Sequence, residues 1–299
     1  MRKVFLPGGT IESATVALLG NFDGVHKGHR FLAEKAVIYA KQNNLKSLVY
    51  TFERNIKNQG TLTENADKEK LFSELGIDII AFQDINDEFF SLSPEVFVKD
   101  VIISTLKAKF VIVGENYTFG KNKSGKSADL KKLLEKYGVE CEICNLLEVD
   151  NKVVSSTRIR ELISLGEIKE ANSLLSRRYA ISGSVEHGNR IGRTMGFPTV
   201  NIRPFESCAL PKFGVYAALV TMDGKKYKGV SNVGVKPTVG GKIPLVETYI
   251  FGAEGDLYGK EIEVEFEEFI RPEKKFSGIE ELKEQIENDK KIAQNILNW

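Results

Sequence analysis

Histidine, cysteine and tryptophan are scarce in this chain: three, three and one among 299 residues. A structural zinc site needs four ligands, usually supplied in closely spaced pairs. Only Cys141 and Cys144 form such a pair; Cys208, His26, His29 and His187 offer no second one of comparable spacing downstream. An odd cysteine count also argues against a disulfide framework. The C-x-x-C therefore reads as two thiols on a buried strand end in a reducing compartment. Net charge is missing as well. Lys and Arg number 42 against 41 Asp and Glu, interleaved almost everywhere. No broad field exists for a polyanion, which speaks against nucleic-acid or membrane-surface binding, so any anion site must be local. No apolar run approaches the ~20 residues of a membrane span. Met1 to Thr10 carries two cations with no apolar core behind them, so a signal peptide is not expected. The expectation is a cytoplasmic protein, monomeric or weakly homo-oligomeric.

What is present is order in two styles. At roughly 100–200 residues per domain the length suggests two domains. Up to about residue 150, apolar runs at Thr15–Leu19, Ser47–Thr51, Ile77–Phe82, Phe110–Val113 and Val139–Ile143 predict buried strands. Helical patterns lie between them at His29–Lys41, Asp67–Leu75, Pro94–Ile103 and Ala128–Tyr137. That alternation is the signature of a doubly wound α/β domain with a parallel sheet covered on both faces. Two more helices, Thr157–Leu165 and Ile168–Leu175, follow. From Tyr179 onward glycine- and proline-punctuated strands take over, at Ala180–Val185, Val215–Thr221, Tyr227–Val233, Leu245–Phe251 and Glu261–Phe269. These predict a small closed β-barrel, followed by an amphipathic helix from Ile279 to Trp299. The boundary is placed between residues 177 and 178, giving domains 1–177 and 178–299.

Immediately after the first of these strands comes GNFDGVHKGH, residues 20–29, leading into a helix. Gly20, Gly24 and Gly28 let the backbone approach a ligand. The helix N-terminus attracts anions, and His26 and His29 can both donate to phosphate from one turn. Asp23 lies at the strand mouth, where open α/β sheets bind ligands. The plainer alternative is a tight strand–helix turn with a capping histidine.

This motif resembles that of the His-x-Gly-His nucleotidyltransferases, and its Asn-Phe-Asp-Gly-Val-His form is similar to the adenylyltransferase half of the bacterial bifunctional riboflavin kinase/FAD synthetases. The resemblance implies a nucleotidyltransferase domain in which Gly20, Phe22, Asp23, Gly24, His26, Gly28 and His29 surround the ATP phosphates. His26 and His29 would stabilise charge at the α-phosphorus. GENYTFGKNKSG, residues 114–125, resembles the family's flavin- and nucleotide-binding loop, with Asn116 at its polar position. SSTRIR, residues 155–160, resembles its second phosphate signature. There Ser156 or Thr157 could cap the following helix while Arg160 offers a fork to phosphate.

A competing pattern overlaps that loop. Gly120, four residues, then Gly125-Lys126-Ser127 satisfies the P-loop pattern letter for letter. A P-loop springs directly from its strand, however, and here the predicted strand ends at Val113. A peripheral basic loop is the expectation.

HGNRIGRTMGFPTVN, residues 187–201, forms a second cluster, with Gly188, Gly192 and Gly196 around Arg190 and Arg193. If Pro198 to Asn201 is extended, Thr199 and Asn201 share one face and Val200 takes the other. Two neutral oxygens side by side suit Mg²⁺ shared with substrate phosphates. The stretch resembles the Gly-Phe-Pro-Thr-Ala-Asn signature of riboflavin kinases, with Val200 in place of the usual alanine. The resemblance implies ATP binding by Gly192, Arg193, Gly196, Pro198, Thr199 and Asn201, Mg²⁺ at Thr199 and Asn201, and Glu247 as the base for the riboflavin 5′-hydroxyl. It continues through Phe213–Tyr216, Ser231–Thr238, Glu247–Ile250, Asp256–Lys260 and Arg271–Glu273. Two departures stand out. Glu53-Arg54-Asn55-Ile56 replaces the family's Pro-His-Pro loop, and Leu175-Ser176-Arg177-Arg178-Tyr179 stands where Leu-Gly-Arg-Pro-Tyr is usual. The expected function is phosphorylation of riboflavin to FMN in the barrel and adenylation of FMN to FAD in the α/β domain. ATP is co-substrate and Mg²⁺ the cofactor. The rivals are retention of only one activity, or a flavin-binding regulatory protein.

Overall fold

The computed structural model describes residues 1–53, 60–187, 196–238 and 241–298, with backbone alone at 236–238, 241 and 242. Its contacts divide the chain into two compact units, Met1–Ser156 and Thr157–Trp299.

The first unit runs β1 (Arg2–Leu6), β2 (Thr15–Leu19), α1 (Lys27–Gln42), β3 (Lys46–Phe52), α2 (Asn65–Glu74), β4 (Ile79–Gln83), α3 (Asp87–Ser91) and α4 (Pro94–Val96). A π-helix (Phe97–Thr105) follows, then β5 (Ala108–Gly114), the two-residue strands β6 (Thr118–Phe119) and β7 (Gly125–Lys126), α5 (Ser127–Glu135), β8 (Glu140–Cys144) and a small ladder of β9 (Glu148–Val149) and β10 (Lys152–Val153). Six strands make one parallel sheet in the order β1-β4-β3-β2-β5-β8. Alternation along β2 sets the layers. Val16 and Leu18 join Ala33, Ala36 and Phe72 of α1 and α2 on one face, while Ala17 and Leu19 join Val98, Ile102 and Leu130 on the other. Because β3 and β4 extend the sheet to one side of β2, and β5 and β8 to the other, the strand order reverses between β2 and β5. The crevice beyond their C-terminal ends is where such sheets bind ligands.

The second unit contains α6 (Ser156–Leu165), all but its first residue, then α7 (Ile168–Leu175), β11 (Tyr179–Glu186), β12 (Thr199–Ile202), β13 (Gly214–Met222), β14 (Lys225–Thr238), β15 (Gly241–Ile250), β16 (Glu261–Pro272) and α8 (Ile279–Ile296). The six strands close as an antiparallel barrel, β11-β12-β15-β14-β13-β16. Register partners Val200, Thr248, Ser231 and Tyr216 share the inner face with Val220, Val264 and Phe266. Inside, the Ser231 and Thr248 hydroxyls satisfy each other at 2.9 Å. The helix α8 packs on β13, β14 and β16 and is fastened by Arg271, whose Nε and Nη2 donate to the Asp289 carboxylate at 2.7–3.1 Å.

The architecture is the one expected, a doubly wound α/β domain followed by a closed barrel and a terminal helix. Some details go beyond that expectation. β1 is an additional edge strand. Pro94–Ile103 is not an α-helix: after one turn it widens to π geometry, with Ser104 and Thr105 hydroxyls donating to the carbonyls of Lys99 and Asp100 five residues back. The β-branched run Val101-Ile102-Ile103 holds α geometry weakly, and the wider turn keeps Phe97, Val98 and Ile102 buried. Ser176, where the family has glycine, caps α7 in the left-handed region at φ +58°.

Val200 points into the barrel, as the alternation predicted, and is 8% exposed. Val200→Ala should cost about 1–2.5 kcal/mol of barrel stability, from the lost methyl groups and the cavity they leave. Urea denaturation checks this; an unchanged midpoint would place Val200 outside the core.

Candidate active sites

The turn after β2 is built around Asp23. Its buried carboxylate accepts from the backbone N–H of Leu62 at 2.9 Å and of Thr63 at 3.2 Å, and its carbonyl accepts the Ser156 hydroxyl at 2.7 Å. The Ser156 hydroxyl thus ties the start of the following helix to the Asp23 turn. The turn takes left-handed backbone at Phe22 (φ +50°), Gly24 (φ +88°) and Val25 (φ +40°). Gly20 is required because a Cβ there would stand 2.7 Å from the Phe22 ring. Phe22 is itself core: its ring meets Phe72 and His29 edge-on, at 5.5 and 5.1 Å. His26 is the N-cap residue of α1 but makes no capping hydrogen bond with its side chain. Its ring stacks on His29 at 3.6 Å, one turn into the helix, with Gly28 between them close to the His26 ring. The capping-histidine alternative is therefore set aside, and two imidazoles lie together at the strand-order reversal.

Asn116 sits in the turn after β5, exposed, where the neighbouring strand ends. Glu115 beside it accepts from the Leu146 N–H at 3.2 Å and from the Ser127 hydroxyl through its carbonyl at 2.8 Å. Sequence reading missed the aromatic side chains around this edge: Phe52, Phe89, Phe97, Phe119 and Tyr117 form a chain of ring contacts 5.6–6.2 Å apart. They come from four separated segments, so no local motif announces them. Thr157 and Arg160 lie on α6 in the second unit, Arg160 buried.

The P-loop pattern resolves into something else. β6 and β7 pair antiparallel, making residues 118–126 a tight hairpin. Both glycines have packing reasons, Gly120 against the Pro94 ring at φ +71° and Gly125 against the Phe119 ring. The Lys126 N–H is capped by Asp129 at 3.0 Å while its side chain is exposed.

In the barrel, Asn201 of β12, Glu247 of β15 and Asn232 of β14 are successive register partners on the outer face, and the row continues through Val215 to Arg271. Thr199 donates its hydroxyl to Glu247 Oε1 at 2.6 Å. Giving its single proton to the carboxylate turns the Thr199 lone pairs outward, as a hard-cation ligand requires. Tyr249 opposes Thr199, Phe197 meets Tyr249 edge-on, and Lys290 of α8 lies over both rings at about 5 Å. Asn232 had no spacing signal; only the cross-strand register reveals it. Pro198 and Gly196 are exposed beside the row, Gly196 at φ +87°. Gly192 and Arg193 lie outside the described residues, as do Gly188, Arg190 and residues 54–56 of the departing loop. No cluster of three or more His, Cys, Asp or Glu side chains suited to a metal occurs among the described residues, so a cation here would draw on neutral oxygens and a ligand's phosphates.

Comparison with known proteins follows the two units. The family description FAD synthetase matches residues 9–158, and the description Riboflavin kinase matches residues 175–297. The chain is 38% identical over 283 residues to the bifunctional riboflavin kinase/FMN adenylyltransferase of Listeria monocytogenes, covering 92% of this chain and 90% of that one. It is 34% identical over 290 residues to its namesake from Escherichia coli K12, covering 94% and 92%. Among solved structures it is similar to one titled as a macrolide-efflux protein from Streptococcus pneumoniae, with 30% identity, TM-score 0.90 and 99% of each chain covered. Among the described residues no helix is long and apolar enough to cross a membrane.

Cys141 and Cys144 face opposite sides of the sheet, one in each core layer. Burial pushes their thiols up to about 12 and about 11. Raised values mean neutral thiols at neutral pH, with thiolate appearing only as pH climbs toward those values. In the native protein at pH 8, an alkylating reagent should leave both unmodified over a time that labels the urea-unfolded chain fully, as read by peptide mass spectrometry. Rapid native labelling would contradict the buried, inert assignment.

Proposed function

The chain belongs to the family of bifunctional riboflavin kinase/FMN adenylyltransferases, and from that premise we propose a division of labour between the two sites described above. The enzyme converts riboflavin and ATP to FMN and ADP, and FMN and ATP to FAD and diphosphate. The adenylyltransferase is assigned to residues 1–177 and the kinase to 178–299, an assignment that the separate family matches support.

For adenylyl transfer, the supporting observation is the stacked His26–His29 pair at the strand-order reversal. An FMN phosphate oxygen attacks the α-phosphorus of ATP, the bond to the β-phosphate breaks, and diphosphate leaves. The imidazoles and the N-terminus of α1 offset the charge that accumulates, so catalysis rests on positioning and electrostatics. Phe52, Phe89 and Tyr117, the partly exposed members of the aromatic chain, supply apolar surface of the kind a flavin ring stacks on, beside Asn116 as a polar contact, while Phe97 and Phe119 back them from the core.

For the kinase, the supporting observation is the 2.6 Å Thr199–Glu247 hydrogen bond. Oε1 is occupied by the threonine, and the second oxygen makes no hydrogen bond among the described residues, so it is open to the 5′-hydroxyl proton. That proton passes to Glu247 while the hydroxyl oxygen bonds to the γ-phosphorus and ADP departs. Thr199 and Asn201 fit Mg²⁺ by donor chemistry, and the ion would supply charge neutralisation at the phosphates. A cytoplasmic setting is supported by three cysteines present as free thiols. The near-zero net charge supports small-molecule ligands over a polyanion.

Two variants test the division. His29→Ala removes a charged phosphate hydrogen bond worth about 1.5–3 kcal/mol, so FAD formation from supplied FMN should fall at least about tenfold while riboflavin phosphorylation persists. Loss of both activities in a folded variant would refute separate sites. Glu247→Gln should cut riboflavin phosphorylation by about 10²–10⁴ and leave FMN adenylation intact. Chromatographic separation of riboflavin, FMN and FAD over time reads both, and near-normal FMN production by Glu247→Gln would remove Glu247 as the base.

A further inference from the structure

Lys68, in the second turn of α2, is 2% exposed. Lysines engaged in ion pairs among the described residues have side chains 17–64% exposed, from Lys290 to Lys169. A buried ammonium is costly without compensating partners, so its retention calls for one. Among the described residues Lys68 has no hydrogen bond or ion pair through its side chain. It feels the charge of Asp23 without bonding to it, and burial lowers its proton affinity despite that attraction. The Asp23 carboxylate is already committed to the N–H groups of Leu62 and Thr63.

Its place in the fold says which partner is missing. Lys68 and Phe72 are one turn apart on the same face of α2. Phe72 meets Phe22 edge-on, Phe22 meets His29, and His29 stacks on His26. The lysine therefore belongs to the wall of the histidine turn, on the helix entered from the Leu62-Thr63 segment that Asp23 holds.

We propose that Lys68 is a substrate-binding residue of the adenylyltransferase site, its ammonium held back from protein partners to receive an oxygen of the β,γ-phosphates that leave as diphosphate. The inference rests on the assignment of the histidine turn to the ATP phosphates. A compact ammonium suits this task, since it adds point charge to a site whose imidazoles supply direction. Its neighbour Asp23 keeps the local charge balanced when the anion departs.

The test uses the full chain, with Lys68→Met, Lys68→Gln and His29→Ala side by side. Inorganic diphosphate binding is measured by calorimetry, and KM for ATP and for FMN in FAD formation are measured with it. Lys68→Met should weaken diphosphate binding and raise KM for ATP about tenfold to a hundredfold, leave KM for FMN within about twofold, and melt no lower than the parent, because a buried charge has been replaced by an apolar chain of similar length. Lys68→Gln should show the same kinetic pattern, and decides the matter if the methionine variant does not fold. If the folded variants keep diphosphate affinity and KM for ATP, Lys68 is only a charge partner of Asp23, a role that a lowered melting temperature would also betray. Should His29→Ala retain full FAD synthesis, the phosphate-site reading itself falls. An impaired His29→Ala beside normal Lys68 variants overturns the lysine assignment alone.

Discussion

The carboxylate of Asp23 is the tie on which the first unit's site depends. It gathers the chain before α2 through two backbone N–H groups, and its own carbonyl receives Ser156 from 133 residues further along. Hydrogen bonds to a charged acceptor contribute about 1.5–3 kcal/mol each, and more where water is excluded. That compensation matters because the turn is not relaxed. Phe22 and the β-branched Val25 both hold left-handed backbone, a conformation costing on the order of 1–3 kcal/mol per residue. The turn survives because Asp23 and the packing of Phe22 over-determine it, and the result is a rigid presentation of two imidazoles on the first turn of a helix.

The barrel solves a different problem, placing polar chemistry on a unit too small to spare its interior. Among the described residues the inside is closed with apolar and aromatic side chains, the Ser231 and Thr248 hydroxyls satisfying each other and the Tyr216 hydroxyl donating to the Lys212 carbonyl. The chemistry is moved to the outer face, where register alone aligns Asn201, Glu247 and Asn232 across three strands. The same row ends at Arg271, whose pairing with nearly buried Asp289 fixes α8 beside the polar groups. Removing one partner of such a pair typically costs about 3–5 kcal/mol, so the helix edging the site is as firmly set as the strands beneath it.

What could be read from the residues depended on whether the information was local. The strands β2, β3 and β5 show as β-branched runs, and the glycine-rich turn between β2 and α1 carries its histidines three residues apart, so both were legible. β1 was not, because Arg2 and Lys3 disguise a short edge strand. The π-helix hid behind an apolar spacing that also fits α geometry. Lys68 carries no mark of its own among the charged residues of its helix, and only its burial in the folded unit sets it apart. Asn232 and the aromatic chain are made by tertiary pairing, which leaves no mark on one-dimensional spacing. The P-loop pattern erred in the opposite sense: the letters were present, but Pro94 and Phe119 account for the two glycines and an antiparallel hairpin replaces the phosphate cradle.

The two thiols of β8 carry a wider point about parity. Along an extended chain, side chains repeat their direction at even separations and reverse it at odd ones. A spacing of three therefore sends Cys141 and Cys144 through opposite surfaces of the sheet, where no common ion and no bond can bridge them. The same letters become a chelate or a redox pair only where the backbone curls, at a helix start or a tight loop. Whether a C-x-x-C has chemistry is thus decided by the curvature of the segment that bears it, and here a straight strand silences it.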